Sequence, residues 1–216
     1  DGAVMVLMSL LSDQHRSSEK LSAAIQGAGN AGAQTARLLF GLGMKVVALS
    51  DSRGTVENMN GLDVGKVLSA KDTQGSVVSA DGEHTDTEAV LRARADIFVP
   101  AALEEQVRID NVSGVQVDTI LEVANGPVTP EADQELAKRG VAVIPDVLAN
   151  AGGVTVSYFE WLQNKSNETW TAEKVHERLL ETMQDAYRDV ADFALTRGVT
   201  LREASYALAL SRILES

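Results

Sequence analysis

The chain predicts a doubly wound α/β fold: a mostly parallel sheet with helices on both faces and a helical extension at its C-terminal end. Three observations predict it. Short apolar runs of strand length alternate with helix-period segments as far as residue 150; no strand pattern recurs beyond that point; and a Gly-x-Gly-x-x-Gly loop joins the first strand directly to a helix. The 216 residues suffice for one full domain, 1–216, in which 1–170 hold the sheet and its cleft and 171–216 are helical. Hydrophobic residues make up 44% of the chain but aromatic ones only 4%, so aliphatic side chains and alanine must fill the core. That composition suits helices packed closely on a parallel sheet.

The elements follow in order. Residues 3–11 carry a helical apolar face placed beside the first strand, and the polar Ser17-Ser18-Glu19 leads into a strand over 21–26. A helix over 31–42 stops at Gly41-Leu42-Gly43, and 45–50 reads as a second buried parallel strand. A shorter helix runs from Asn60 to about Lys71, and the Gly/Ser/Asp-rich stretch 73–86 reads as a surface excursion. Residues 96–100 and 118–123 are strands. Thr129 caps a helix with Pro130 in its first turn and Gly140 at its end, and 141–145 is a further strand. Residues 151–164, 172–197 and 200–214 read as three helices. In the second of these, Leu179, Met183, Ala186, Val190 and Phe193 form an apolar stripe assigned to core packing.

Composition narrows the function classes. A formal net charge of −12 argues against a nucleic-acid or anionic-membrane surface. Cysteine is absent, which excludes disulfides and thiolate metal sites, and His15, His84 and His176 lie far apart without metal-binding spacing. The run Ala3 to Met8 is too short to span a bilayer and lacks a basic leader, so the expected location is cytoplasmic. The chain begins at Asp1, partway into an expected helix, and reads as a piece of something longer.

The most specific signal is Gly27-Ala28-Gly29-Asn30-Ala31-Gly32, set between an apolar strand and a helical pattern. Gly27 permits the tight strand-to-helix turn, Gly29 removes the Cβ that would block a pyrophosphate, and Gly32 lets the helix pack close to the sheet. The helix N-terminus then offers N–H groups and a positive dipole end to phosphates, as in the Rossmann dinucleotide fold. Asp51 ends the second strand, 24 positions after Gly27 (51 − 27), near the spacing at which a carboxylate meets an adenosine ribose. The same residue also suits capping of the turn Asp51-Ser52-Arg53-Gly54, and both roles can hold at once.

Three segments together resemble the glutamate/leucine/phenylalanine/valine dehydrogenases. They are the glycine loop with Asn30 as its fourth residue, Ala124-Asn125-Gly126-Pro127 through Pro130-Glu131-Ala132-Asp133, and the long stretch from Pro145-Asp146-Val147-Leu148-Ala149-Asn150 to Trp161. The resemblance runs from about residue 2 to 214. It implies oxidative deamination of an L-amino acid to a 2-oxo acid, with hydride passed to a nicotinamide cofactor, and the reverse amination. It also implies roles for single residues. The backbone amides of Ala28, Gly29, Asn30 and Ala31 meet the pyrophosphate, Ala101 lies near the adenosine, Asn125 meets the nicotinamide ribose, and Asn150 lies on the nicotinamide side. Turn or cap chemistry is the alternative for the two asparagines. Close approach of a ligand is the reading given to Gly152-Gly153.

For the substrate, the resemblance implies that Val154 and Ser157 line the side-chain pocket, with the Ser157 hydroxyl bonded to a γ-carboxylate. A hydroxyl there would stand unpaired against a leucine side chain, which points to L-glutamate and 2-oxoglutarate with ammonia. Tyr158, Phe159 and Trp161 are read as helix packing. The family's catalytic lysine and aspartate lie in an N-terminal domain that would precede Asp1. No catalytic residue is therefore assigned here: Lys20, Lys45 and Lys66 are read as solvated, and the fragment alone is expected to be inactive. Asp51 at the strand end favours NAD, while Ser52 and Arg53, which follow at once, leave NADP open. The full-length protein is expected to be a homo-oligomer. The rival readings are a leucine, valine or phenylalanine dehydrogenase, and a non-catalytic dinucleotide-binding module.

Overall fold

In the computed structural model, which describes residues 1–215, the apolar runs pair into a sheet of seven strands among the described residues; Ser216, the last residue of the expected helical extension, lies outside them. In chain order the strands are β1 (Ser22–Gln26), β2 (Lys45–Asp51), β3 (Gly54–Glu57), β4 (Glu83–Thr85), β5 (Ile97–Pro100), β6 (Thr119–Leu121) and β7 (Ala142–Ile144). The helices are α1 (Gly2–Asp13), α2 (Asn30–Gly41), α3 (Val64–Gln74), α4 (Ala89–Arg92), α5 (Pro130–Lys138), α6 (Asp146–Ala149), α7 (Ala151–Ser166), α8 (Ala172–Arg197) and α9 (Leu201–Leu214). The sheet order is β4-β3-β2-β1-β5-β6-β7. Strands β2, β1, β5, β6 and β7 run parallel, and β3 and β4 extend the sheet antiparallel at one edge.

The order places a crevice. From β1 the chain moves outward to β2 and later returns to the other side of β1 as β5, so the connections after β1 and β5 diverge at the C-terminal ends of the strands. In open α/β sheets this reversal point is where ligands bind.

Pleating sorts the strand residues between two cores. Ala23, Ile25, Ile97, Val99, Leu121 and Ile144 join one, with side chains from α1, α2, α3 and α8. Ala24, Ala48, Phe98, Ile120 and Val143 join the other, against Val90, Val112 and Leu136. Both faces of the sheet are thus covered, as the continuous apolar runs require. Each fully buried Leu, Ile or Phe contributes about 1.5–3 kcal/mol through its removal from water.

The structure adds four elements that the sequence reading left as loop: β3, β4 and the four-residue helices α4 and α6. Strand β4 falls in the expected surface excursion, where Val56 pairs with His84 and Glu57 with Glu83. Helix α3 begins later than the pattern suggests because the Asp63 side chain caps it, accepting from the Lys66 amide at 3.1 Å. On α8 the buried stripe is rotated: Tyr187 and Ala194 are buried where Ala186 and Phe193 were expected, with Leu179, Met183 and Val190 as expected. Tyr187 is amphipathic and buries its ring while its hydroxyl donates to Asp13 Oδ2 at 2.9 Å. Among the described residues no helix is long and apolar enough to cross a membrane.

One close contact fixes how α7 leaves the sheet. A Cβ on Gly152 would stand 2.9 Å from the Gly2 Cα, and a Cβ on Gly2 would stand 2.8 Å from the Gly152 Cα. The two helices α1 and α7 therefore touch backbone to backbone. Gly152 serves this packing, which corrects the expectation that a ligand approaches it; Gly153 has no neighbour within 4 Å of its Cβ direction. Gly152→Ala is expected to destabilise the fold by about 1–3 kcal/mol, since backbone rather than a side chain must shift. Gly153→Ala is expected to stabilise it by up to about 1 kcal/mol through helix propensity. Paired denaturant melts check both; equal effects would contradict the contact.

Candidate functional site

The glycine loop closes β1 onto α2 at the crevice. Gly27 has a φ of +94°, and its amide donates to the Ser50 carbonyl at 3.1 Å. A Cβ there would lie 2.9 Å from the Ala101 carbonyl oxygen and from the Ala102 Cβ. A Cβ on Gly32 would lie 1.8 Å from the Gly27 carbonyl oxygen, so no side chain fits. The expectation placed Gly32 against the sheet; its tight approach is to the loop itself and to the Ala101 methyl group. Gly29 differs from both, with nothing within 4 Å of its Cβ direction. Steric need does not explain a glycine there, and the empty space in front of it does.

That space faces a helix start left open. Helices α3, α5, α8 and α9 each begin with a side chain that accepts from the first turn; α2, like α1, α4, α6 and α7, has none, and its N-cap is Gly29. Its first amides, including those of Asn30, Ala31 and Gly32, therefore keep their capacity for an anion. Lys71 Nζ, from the last turn of α3, donates to the Ala28 carbonyl and sets a positive charge beside the loop. Sequence reasoning missed Lys71 because nothing in its own segment marks it.

Asp51 ends β2 as expected, and its carboxylate is engaged. Oδ1 accepts from the Arg53 amide at 2.8 Å and from Ser76 Oγ at 3.0 Å, and Oδ2 accepts from the Val77 amide at 2.8 Å. The turn-capping role is therefore present. An ionised carboxylate offers about four acceptor directions, so about one remains. Ser52 stands exposed in the same turn. Ala101 follows β5, and its amide donates to the Gln26 carbonyl at 2.8 Å, which holds it against the loop.

The two asparagines, 25 residues apart, meet. Asn150 Nδ2 donates to Asn125 Oδ1 at 3.2 Å. The amides of Val123 and Ala124 donate to the Pro100 carbonyl at 3.1 and 2.9 Å, so the loop after β6 is drawn to the end of β5. Beyond Asn150, α7 carries Val154 and Ser157 one and two turns on, both exposed, Val154 at 70%. Tyr158 and Trp161 share that face and are exposed, stacked with centroids 5.8 Å apart. Of the three aromatic residues read as packing, only Phe159 is buried, 5.7 Å from the Trp170 ring. An i, i+3, i+4, i+7 spacing gives Val154, Ser157, Tyr158 and Trp161 one helix face, and that face is the solvent side.

The structure also shows a buried ionic cluster behind these loops. Glu122, just after β6, is fully buried, and its carboxylate binds Arg202 of α9 at 2.6 and 3.1 Å. Arg202 reaches Asp133 through Nε at 3.0 Å as well. Burial pushes the Glu122 carboxyl above its ordinary value, opposed by the hydrogen bond and charge of Arg202. Burial works against the Arg202 charge too, but Glu122 and then Asp133 outweigh it and hold the guanidinium firmly protonated. Sequence reasoning passed over this cluster, although a glutamate closing the apolar run Thr119-Ile120-Leu121 was a signal that a buried partner must exist.

Comparison with known proteins bears on what this arrangement is. The model of the glutamate/leucine/phenylalanine/valine dehydrogenase family matches residues 1–216. An NADP-specific glutamate dehydrogenase A1 of Halobacterium salinarum is 45% identical over 196 residues, covering 89% of this chain and 47% of the relative. An NAD-specific glutamate dehydrogenase of Staphylococcus aureus is 37% identical over 215 residues, covering 100% of this chain and 52% of the relative. Among solved structures, a leucine-bound hetero-hexameric glutamate dehydrogenase from Thermus thermophilus superposes with a TM-score of 0.92 at 36% identity, over 99% of this chain and 51% of that one. The glutamate dehydrogenase of Peptoniphilus asaccharolyticus gives 0.84 at 33% identity, over 98% and 50%. The chain spans about half the length of the relatives it matches. With the glycine loop, the paired asparagines and the α7 face in place, and the family model matched from end to end, the chain belongs to the glutamate/leucine/phenylalanine/valine dehydrogenase family.

Proposed function

We propose that this chain is the cofactor-binding half of an NAD(P)-dependent glutamate dehydrogenase, which interconverts L-glutamate and 2-oxoglutarate with ammonia. The observation that carries the reading is Gly29, with open space before it at an uncapped helix start on the sheet's reversal point. The residues present fit a dinucleotide: a Cβ at Gly29 would enter the open space before the loop, and the α2 amides suit its pyrophosphate. When bound, the nicotinamide ring supplies the hydride chemistry.

The remaining roles belong to this chain's residues. The amides of Ala28, Gly29, Asn30 and Ala31 hold the pyrophosphate, and Asp51, Ser52 and Ala101 border the adenosine end. Asn125 and Asn150 orient the nicotinamide end. Ser157 donates its hydroxyl to the substrate's side-chain carboxylate, and Val154 gives the pocket an apolar wall. The lysine and aspartate that handle protons and the α-carboxylate belong, on this reading, to the half of the relatives outside this chain's span. Both NAD and NADP are within reach of the site, since named relatives use each. The engaged Asp51 supports NAD, and Lys71 and Arg53 nearby support tolerance of an extra phosphate. A homo-oligomeric assembly completes the proposal.

The two inner glycines separate fold from function. Gly29→Ala places a methyl in open space at a φ of −71°, which alanine adopts freely, so its melting temperature is expected to fall only by the small loss of a glycine N-cap while NADH and NADPH binding by calorimetry falls at least about tenfold, the equivalent of 1.4 kcal/mol. Gly32→Ala is expected to lower the melting temperature itself, because its methyl collides with the Gly27 carbonyl. Undiminished NADH binding by Gly29→Ala would sink the cofactor assignment. For the substrate, Ser157→Ala in the full-length enzyme is expected to raise KM for glutamate by about tenfold with a smaller change in kcat, the pattern of lost uniform binding. Faster turnover of leucine than of glutamate by the same enzyme would replace glutamate as substrate.

A further inference from the structure

We infer that Arg202, on the last helix and outside the cleft, is a positioning residue for the Asn125–Asn150 pair. The inference rests on the reading that these two asparagines hold the nicotinamide end of the cofactor.

A chain of contacts carries it. Arg202 grips Glu122 with two nitrogens, Nη2 to Oε1 at 2.6 Å and Nη1 to Oε2 at 3.1 Å. Glu122 Oε2 also accepts from the Asp146 amide at 2.8 Å, so the first residue of α6 is hung on this carboxylate. The side chain of Asp146 lies 3.9 Å from Arg202 Nη1 and accepts from the Gly126 amide at 2.8 Å. Asp146 thus holds the residue that follows Asn125. At the other end of the same helical turn, the Asn150 amide donates to the Asp146 carbonyl at 2.8 Å. Asn150 then closes the ring onto Asn125.

The geometry ties both asparagines to one aspartate, which hangs on Glu122 and lies beside Arg202. Gly126 has a φ of +53° and no neighbour within 4 Å of its Cβ direction, so its own backbone hydrogen bonds place it: its carbonyl accepts from the Glu105 amide at 2.8 Å, and its amide donates to Asp146. Three carboxylates, those of Glu122, Asp133 and Asp146, converge on the one guanidinium. Without it nothing positive gathers these carboxylates, and the Asp146 side chain loses the charge that keeps it beside Glu122. Such a cluster is a poor way merely to dock a helix, since apolar residues of similar volume usually dock as well or better. Its advantage is direction: a forked guanidinium sets angles as well as distances.

The experiment separates positioning from stability by using two ligands. NADH carries the nicotinamide and its ribose whereas ADP lacks both, so the ratio of their affinities reads the nicotinamide end. Calorimetry would be run on wild type, Asn125→Ala, Arg202→Met, Arg202→Lys, and Arg212→Met, which breaks the exposed pair between Arg212 of α9 and Asp189 of α8. Arg202→Lys keeps a charge but not the fork and is expected to fold if Arg202→Met does not. The expected result is that both Arg202 variants lose about tenfold in NADH affinity with ADP affinity unchanged, as Asn125→Ala does, while Arg212→Met changes neither. A role confined to docking α9 predicts a lower melting temperature with the ratio unmoved. If Asn125→Ala shifts the ratio and Arg202→Lys does not, the inference is overturned and the cofactor reading stands. If Asn125→Ala also leaves the ratio unchanged, the placement of the nicotinamide end fails, and the inference with it.

Discussion

The contact between Gly32 and the Gly27 carbonyl organises this molecule more than any attraction does. A methyl group at residue 32 would lie 1.8 Å from that oxygen, so α2 can start where it does only because the side chain is missing. The position of α2 fixes where its first amides lie, and those amides define the floor of the crevice between β1 and β5. The same turn presses Gly27 against Ala101, so the end of β5 is placed by the same absence of bulk. Removing one carbon from each of two residues thus sets the relation between two strands, a helix and a cleft. Gly29 shares the motif yet has nothing near it, and that contrast shows which member of the motif faces the outside world.

Scarcity of aromatic residues shapes the rest of the packing. Strand residues as small as Ala23, Ala24 and Ala48 are fully buried, which brings helices close on both faces of the sheet. Gly2 and Gly152 carry this to its limit, where two helix backbones meet. The polar counterpart is the cluster at Glu122, where direction instead of volume holds α9, α5 and α6 in register. Close apolar packing fixes the sheet layers, and charged hydrogen bonds fix the loops at their ends.

Much of this was legible in the sequence, and the reason is locality. The glycine loop, the Thr129-Pro130 helix start and the buried strands β1, β2 and β5 are each specified by a few neighbouring residues. The site's parts were readable too: Asn125 and Asn150 were each singled out, although only the fold shows that they touch. What escaped was non-local. Strands β3 and β4 are short, and they exist because residues about 28 apart, such as Val56 and His84, pair across the long connection that holds α3. Glu122 and Arg202 are 80 residues apart, and no local pattern links them. The face of α7 was misread for a related reason. Tyr158 and Trp161 have the composition of core residues, but the helix turns them outward, and the spacing alone cannot say which side of a helix the sheet will take.

The two ends of the sheet have a consequence for how the molecule behaves among its own copies. Its outermost strands, β4 and β7, are only three residues each, and β4 carries Glu83 and His84. An exposed edge invites a neighbour to add a strand in proportion to the length of unpaired backbone it offers and the flatness of its side chains. Here that length is little more than one hydrogen-bonding repeat, and at the β4 end it is guarded by charge. The long, continuous and highly apolar strands that would template aggregation are all interior. The fold therefore places its stickiest backbone where no second molecule can reach it.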